Sequence, residues 1–263
     1  MSPLAKAAAG AGTLSVIGGG GYLAYDNLID TGIRVLVDSG KFKETYKDTN
    51  LFGAKYGRYL VDPESSKNKE WWSGAFGRWS TFKVQDGSAS KLNDAFKNDE
   101  KVKRGFGSVE TDLNKVCEVA YKKSETDIKN TSNTNYEDNV WQFCSLLEGK
   151  PKFIGDNEYT NQVGKDHKDK AVSVTSTDKQ NNSFWDLRNK EFFGNRNAAF
   201  KGDKSSNGTV FRDLLEGKNN VDTVKAACKK AYETDKTNGT STPTELENDI
   251  KKFCYLVPEP AQS

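Results

Sequence analysis

Four cysteines, one histidine and two recurring glutamates are the residues through which this 263-residue chain could do chemistry. Their spacing decides which chemistry. The first cysteines of two stretches are Cys117 and Cys228, with 228 − 117 = 111, and the second are Cys144 and Cys254, with 254 − 144 = 110. No C-x-x-C and no Cys/His cluster is present, so zinc is not the reading. Four cysteines allow three connectivities, and the repeat selects Cys117 with Cys144 and Cys228 with Cys254. In an oxidising compartment each bridge closes a loop that stabilises by about 3 to 4 kcal/mol in the chain-entropy model. In a reducing one the same thiols pack as small apolar side chains.

The remaining candidates are weaker. His167 lies in Lys165-Asp166-His167-Lys168-Asp169-Lys170, which reads as a solvated charged loop. Glu137 and Glu247 each fall seven residues before a second cysteine, since 144 − 137 = 7 and 254 − 247 = 7. A carboxylate pair can serve acid–base chemistry, but acids in a first helical turn are also what the helix dipole favours. Gly19, Gly21 and Ala24 form G-x-G-x-x-A after Ser15-Val16-Ile17, and Asp38 follows Gly19 by 19 positions. A dinucleotide-binding fold wants that layout. Against it, the helix between would be short, and nothing after Asp38 supplies the apolar parallel strands of a doubly wound sheet. No cofactor and no metal is therefore expected.

The elements that hold these residues are mainly helical. At helical spacing Tyr136, Val140, Phe143, Cys144 and Leu147 form one apolar stripe, and Leu246, Ile250, Phe253, Cys254 and Val257 form its counterpart. Leu113, Val116, Cys117, Ala120 and Tyr121 match Val224, Ala227, Cys228, Ala231 and Tyr232 in the same way. Thr242 and Pro243 read as the start of the last helix and Pro258 as its stop. Residues 126–135 and 234–241 are rich in Asn, Thr, Ser and Asp and read as turns. Each copy thus ends in a helical hairpin with one cysteine on the inner face of each helix.

Upstream of each hairpin lies an aromatic segment, with Trp71, Trp72 and Trp79 in one copy and Trp185 in the other. Exposed, these rings would stack on a sugar and make a glycan-binding module; the commoner arrangement is an aromatic core. Residues 81–104 leave room for a short strand or two. The fold class expected is mainly α: a membrane-spanning segment followed by two tandem, duplicated, mostly helical domains. Residues 1–30 form the anchor, 42–149 the first repeat, 150–258 the second and 259–263 a tail.

Residues 7–25 carry no charge and are long enough to cross a hydrocarbon core. Lys6 precedes them and Asp26 and Asp30 follow, which places the N-terminus in the cytoplasm and the rest outside. A cleaved signal peptide is the competing reading. Basic and acidic residues number 39 and 37 and are interspersed, so no basic stripe suits nucleic acid. A mean hydropathy of −0.78 means that each core must be small and largely aromatic.

The Ala/Gly-rich segment ending Gly19 to Tyr25, the Ser/Asp/Lys-rich stretch leading to a tryptophan, and the helix ending in Phe-Cys resemble the large paralogous families of uncharacterised proteins in haemotrophic mycoplasmas. That resemblance implies a single-pass cell-membrane protein facing the host, in a family suspected of antigenic variation or attachment to red cells. It carries no catalytic residues to transfer, and many relatives look like single units where this chain has two. The functional expectation is a displayed antigen or interaction protein without catalysis, whose partner is a host-cell surface protein or glycan. The alternatives are an enzyme with a dinucleotide-binding N-terminus and the tryptophan-based glycan module.

Overall fold

The computed structural model describes residues 32–130, 132, 134–194, 200–236 and 243–259. The apolar segment 7–25, with Gly19, Gly21 and Ala24, lies outside them. Among the described residues no helix is long and apolar enough to cross a membrane.

The chain is mainly helical, and among the described residues it contains no strand, only isolated one-residue bridges. The α-helices are α1 (Phe42–Thr45), α2 (Phe52–Tyr56), α3 (Lys69–Lys83), α4 (Leu113–Tyr121), α5 (Glu125–Lys129), α6 (Tyr136–Cys144), α7 (Lys179–Phe193), α8 (Val210–Leu215), α9 (Val224–Tyr232) and α10 (Thr244–Phe253). The apolar stripes read from the sequence are the buried faces of α4, α6, α9 and α10. Helix α4 packs on α6 and α9 on α10. The bridges Cys117–Cys144 and Cys228–Cys254 join those pairs, with Cα atoms 5.7 and 5.9 Å apart.

Between each joined pair and the long aromatic helix runs a buried stretch of extended chain, residues 60–62 and 171–173. With no ladder to pair it, its backbone groups find partners one at a time. In the first stretch the Leu60 carbonyl accepts from the Leu36 amide at 2.8 Å, the Val61 amide donates to the Cys144 carbonyl at 3.1 Å, and the Asp62 amide donates to the Arg34 carbonyl at 3.0 Å. Side chains supply the rest. Tyr121 hydroxyl donates to the Val61 carbonyl at 3.1 Å, while Asn68 Nδ2 and Trp72 Nε1 donate to that of Asp62 at 2.8 and 3.3 Å.

Residues 171–173 have the same kinds of partner in the same order. The Ala171 carbonyl accepts from the Ile154 amide at 3.1 Å, and the Val172 and Ser173 amides donate to the Cys254 and Lys152 carbonyls at 3.0 and 2.9 Å. Tyr232 hydroxyl donates to the Val172 carbonyl at 3.2 Å, and Asn181 Nδ2 and Trp185 Nε1 donate to that of Ser173 at 3.1 and 3.3 Å. Asn68 and Asn181, both fully buried, also exchange bonds with the backbone of Arg34 and Lys152.

This threading accounts for where the helices stop. The stripes continue to Leu147 and Val257, yet α6 and α10 end at Cys144 and Phe253. Ser145 turns extended and bridges Leu60, and Tyr255 bridges Ala171, so the chain leaves the helix to pair with the buried stretch. Pro258 is therefore not the stop. Pro243 is the N-cap residue of α10 and not its first helical residue, and Thr242 lies outside the described residues.

Two further expectations change. Residues 81–104 hold the end of α3 and two 3-10 turns, Ala89–Lys91 and Asp94–Phe96, in place of strands. The first linker contains the one-turn helix α5, begun by Ser124, whose hydroxyl accepts from the Asp127 amide. Val35, which only the disfavoured dinucleotide alternative would place in a parallel strand, makes one antiparallel bridge to Val61, and a 3-10 turn, Leu36–Asp38, follows at once. Asp38 thus ends no parallel strand.

The two halves share one continuous core. Tyr59 and Arg188 lock them: Tyr59 hydroxyl donates to the Leu256 carbonyl at 2.6 Å, and Arg188 donates to Tyr59 hydroxyl and to the Tyr255 carbonyl, each at 2.8 Å. Glu191 takes Arg188 at 2.9 Å and Arg58 at 2.6 Å, and Arg58 stacks 3.7 Å over the Phe200 ring. Truncating Asn68 to Ala removes three hydrogen bonds, each worth about 1 kcal/mol, and leaves the Arg34 amide without a partner, while the Arg34 and Asp62 carbonyls each keep one donor. Urea unfolding of Asn68→Ala is expected to show a loss of about 3 kcal/mol with an unchanged slope, whereas the exposed Asn157→Ala loses less than about 1 kcal/mol.

Candidate functional site

All four cysteines are consumed in the two disulfides, and no described cysteine is free. They are structural, and their sulfurs are buried.

Trp71, Trp72, Trp79 and Trp185 are buried, so the stacking surface that a glycan module would need from them is absent. The reason is local. They lie on the inward faces of α3 and α7, where Trp72 and Trp185 spend their indole N–H on the buried stretch and Trp79 donates to the Phe96 carbonyl at 2.7 Å. Large rings in a chain of low hydropathy supply the apolar area that aliphatic residues do not.

His167 is not a solvated loop residue; it is 1 % exposed. It sits in a 3-10 turn, Val163–His167, that packs on α9. Its Nδ1 is 2.7 Å from Tyr255 hydroxyl, and its Nε2 lies 3.1 Å from Glu247 Oε2 without the alignment of a hydrogen bond. Glu247, one of the two recurring acids, thus faces the histidine and also pairs with Lys251 at 2.9 Å. Its counterpart Glu137 pairs with Lys150 at 2.9 Å. The two carboxylates serve separate ion pairs and do not meet. Glu247, His167 and Tyr255 have the order of a proton relay, but the histidine and the tyrosine are both buried and pack ring against ring. The arrangement ties α10 to the turn.

Burial lowers the basicity of His167; Glu247 and Asp166 oppose this, and Lys251 and Lys236 add to it, leaving the imidazole below its ordinary value. The unfolded chain then binds the proton more readily than the folded one, so stability falls as pH drops through the unfolded value of about 6.5. Denaturant midpoints at pH 7.5 and 5.5 are expected to differ more for the wild-type chain than for His167→Gln. Equal midpoint differences in the two chains would contradict the lowered basicity of His167.

Two of the hollows lined by described residues are roomy enough for a small ligand. The larger, 750 Å³, is a polar depression on the second half that includes Thr209, Asp213, Asn219 and Lys230. Its polar groups bond one another: Lys230 to the Asn219 carbonyl and Asn219 to Asp213, both at 2.7 Å. The smaller, 230 Å³, lies where the halves meet. Tyr56, Phe153, Leu256 and Val257 give it apolar walls, and Lys55, Lys129, Lys150 and Lys170 also line it. Glu125 holds two of these lysines, Lys55 at 2.5 Å and Lys129, together with Tyr56 hydroxyl at 2.8 Å. Burial raises the Glu125 carboxyl, but the bonds from Lys129, Lys55 and Tyr56 outweigh it and bring the group down to about 2. The junction bond from Tyr59 fixes Leu256, so the lock between the halves also sets one wall of this cavity.

Sequence reasoning missed Asn68 and Asn181, yet a signal was present. Each precedes its tryptophan by four residues, 72 − 68 = 4 and 185 − 181 = 4. An asparagine and an indole one helical turn apart point the same way and can reach one carbonyl. Lys55, Lys129, Lys150 and Lys170 offered no such signal, because they come together only through the junction.

No protein-family model, curated protein or solved structure matches this chain.

Proposed function

We propose that the chain is a membrane-anchored surface protein whose paired units are displayed outside the cell, as an antigen or as a ligand for a host-cell surface protein or glycan, without catalysis of its own. Residues 7–25 are its anchor, and its likeness is to the paralogous surface families of haemotrophic mycoplasmas. The observation that carries the reading is the pair of disulfides, each closing a helix pair around a buried stretch with equivalent bonding in both halves. Disulfides of this kind persist where the environment is oxidising.

The same correspondence supports descent of the two halves from one duplicated unit. Asn68 with Asn181, Trp72 with Trp185 and Tyr121 with Tyr232 stand in matching roles. A fold in which buried polar groups and staples hold the frame leaves exposed positions free to vary. Exposed changes of that kind usually shift stability by less than about 0.5 kcal/mol. A displayed antigen needs that tolerance.

Protease treatment of intact cells tests the placement. The chain is expected to be cut while a cytoplasmic control stays whole; a chain as protected as the control contradicts it. The staple is tested separately. Cys117→Ala/Cys144→Ala is expected to lower the unfolding free energy by about 3 to 4 kcal/mol in oxidising buffer, and reduction of the wild-type chain is expected to remove at least as much.

A further inference from the structure

We propose that the 230 Å³ cavity between the halves is a binding site for a small organic anion: a single ring carrying a carboxylate. The cavity does not depend on where the chain is displayed, and a chain that proved to be intracellular would keep it.

Charge around the cavity is lopsided in a chain whose charges otherwise nearly cancel. Four lysines line it against two acids, Asp169 and Glu259. Glu125 and Glu137, which hold three of the lysines, are not among the lining residues. In every one of the four ion pairs the lysine is the more exposed partner: 36 against 22 % for Lys55–Glu125, 41 against 22 % for Lys129–Glu125, 28 against 17 % for Lys150–Glu137 and 60 against 36 % for Lys170–Glu259. Glu125 and Glu137 are thus the more buried partners and stay off the cavity wall, while Glu259 lines the cavity beside Lys170. An ammonium bound to one carboxylate keeps two N–H donors. Because their partners already restrain these side chains, an incoming anion meets donors whose ordering cost is partly met.

The body of the ligand follows from the walls. Tyr56 and Leu256 are buried, with Phe153 and Val257 half-buried beside them, which gives an apolar bed next to the ammonium groups. Ligand sites commonly combine apolar walls with a few convergent polar groups and lie between domains. The volume equals that of about eight liquid waters, enough for one ring and its acid group. Two sources share this chemistry, an aromatic acid and a uronic acid.

Isothermal titration of the full-length chain with benzoate, glucuronate, glucose and inorganic sulfate tests the site. One or both acids are expected to bind once per chain, more weakly as salt is raised, and glucose not at all. Benzoate alone identifies an aromatic body and glucuronate alone a sugar body; either supports the site. Lys55→Gln/Lys170→Gln, at two exposed positions, is expected to weaken binding by about tenfold or more with no change in the melting curve. Val257→Phe is expected to abolish binding by filling the cavity. Binding of neither acid overturns the proposal. So does sulfate binding as tightly as the acids, or an unchanged affinity in the folded double-lysine variant.

Discussion

The buried extended stretches, residues 60–62 and 171–173, are the constraint from which the rest of the fold follows. An extended segment inside a protein must find a partner for every N–H and carbonyl, and a sheet normally provides them. Here helices surround it, and only single bridges reach it. The shortfall is met by an asparagine, an indole and a phenol in each half. Placing those side chains requires one long helix with the Asn at its start, as N-cap in the first half and in the first turn in the second, and the Trp a turn on, and one disulfide-joined pair carrying the Tyr. The helices are where they are because the stretch must be bonded.

The disulfides act on the same requirement. The carbonyls of Cys144 and Cys254 accept from the Val61 and Val172 amides, so each bridge fixes the helix end that holds the stretch. The second cysteine of each pair therefore serves both through its sulfur and through its carbonyl. The junction follows next. Tyr59, in the turn just before the first stretch, bonds Leu256, just beyond the second disulfide, while Arg188 on α7 binds both Tyr59 and Tyr255. Each half thus finishes the other, and the lysine-lined cavity lies along the seam they make.

Helical periodicity made the cysteine helices and the pairing legible, because an amphipathic stripe and a regular spacing are local properties. The ends of those helices were not legible. Leu147 and Val257 keep the stripe going, but the backbone after Cys144 and Phe253 is needed by a segment more than 80 residues away in sequence, as 144 − 61 = 83 shows. His167 misled for a related reason. Its neighbours in sequence are charged, while its neighbours in space are Tyr255 and Glu247. The tryptophans were legible as a core and misleading as a surface, and the asparagines that work with them passed unnoticed because a single Asn carries no periodicity. The lysines around the cavity belong to four different segments, and only the packed chain brings them together.

Native-state hydrogen exchange on the oxidised chain tests the central claim most directly. If the two stretches anchor the fold, the amides of Val61, Asp62, Val172 and Ser173 exchange only through global unfolding, with protection as high as that of α4 and α9. Exchange of these four amides at the rate of surface loops, while the helices stay protected, would contradict it.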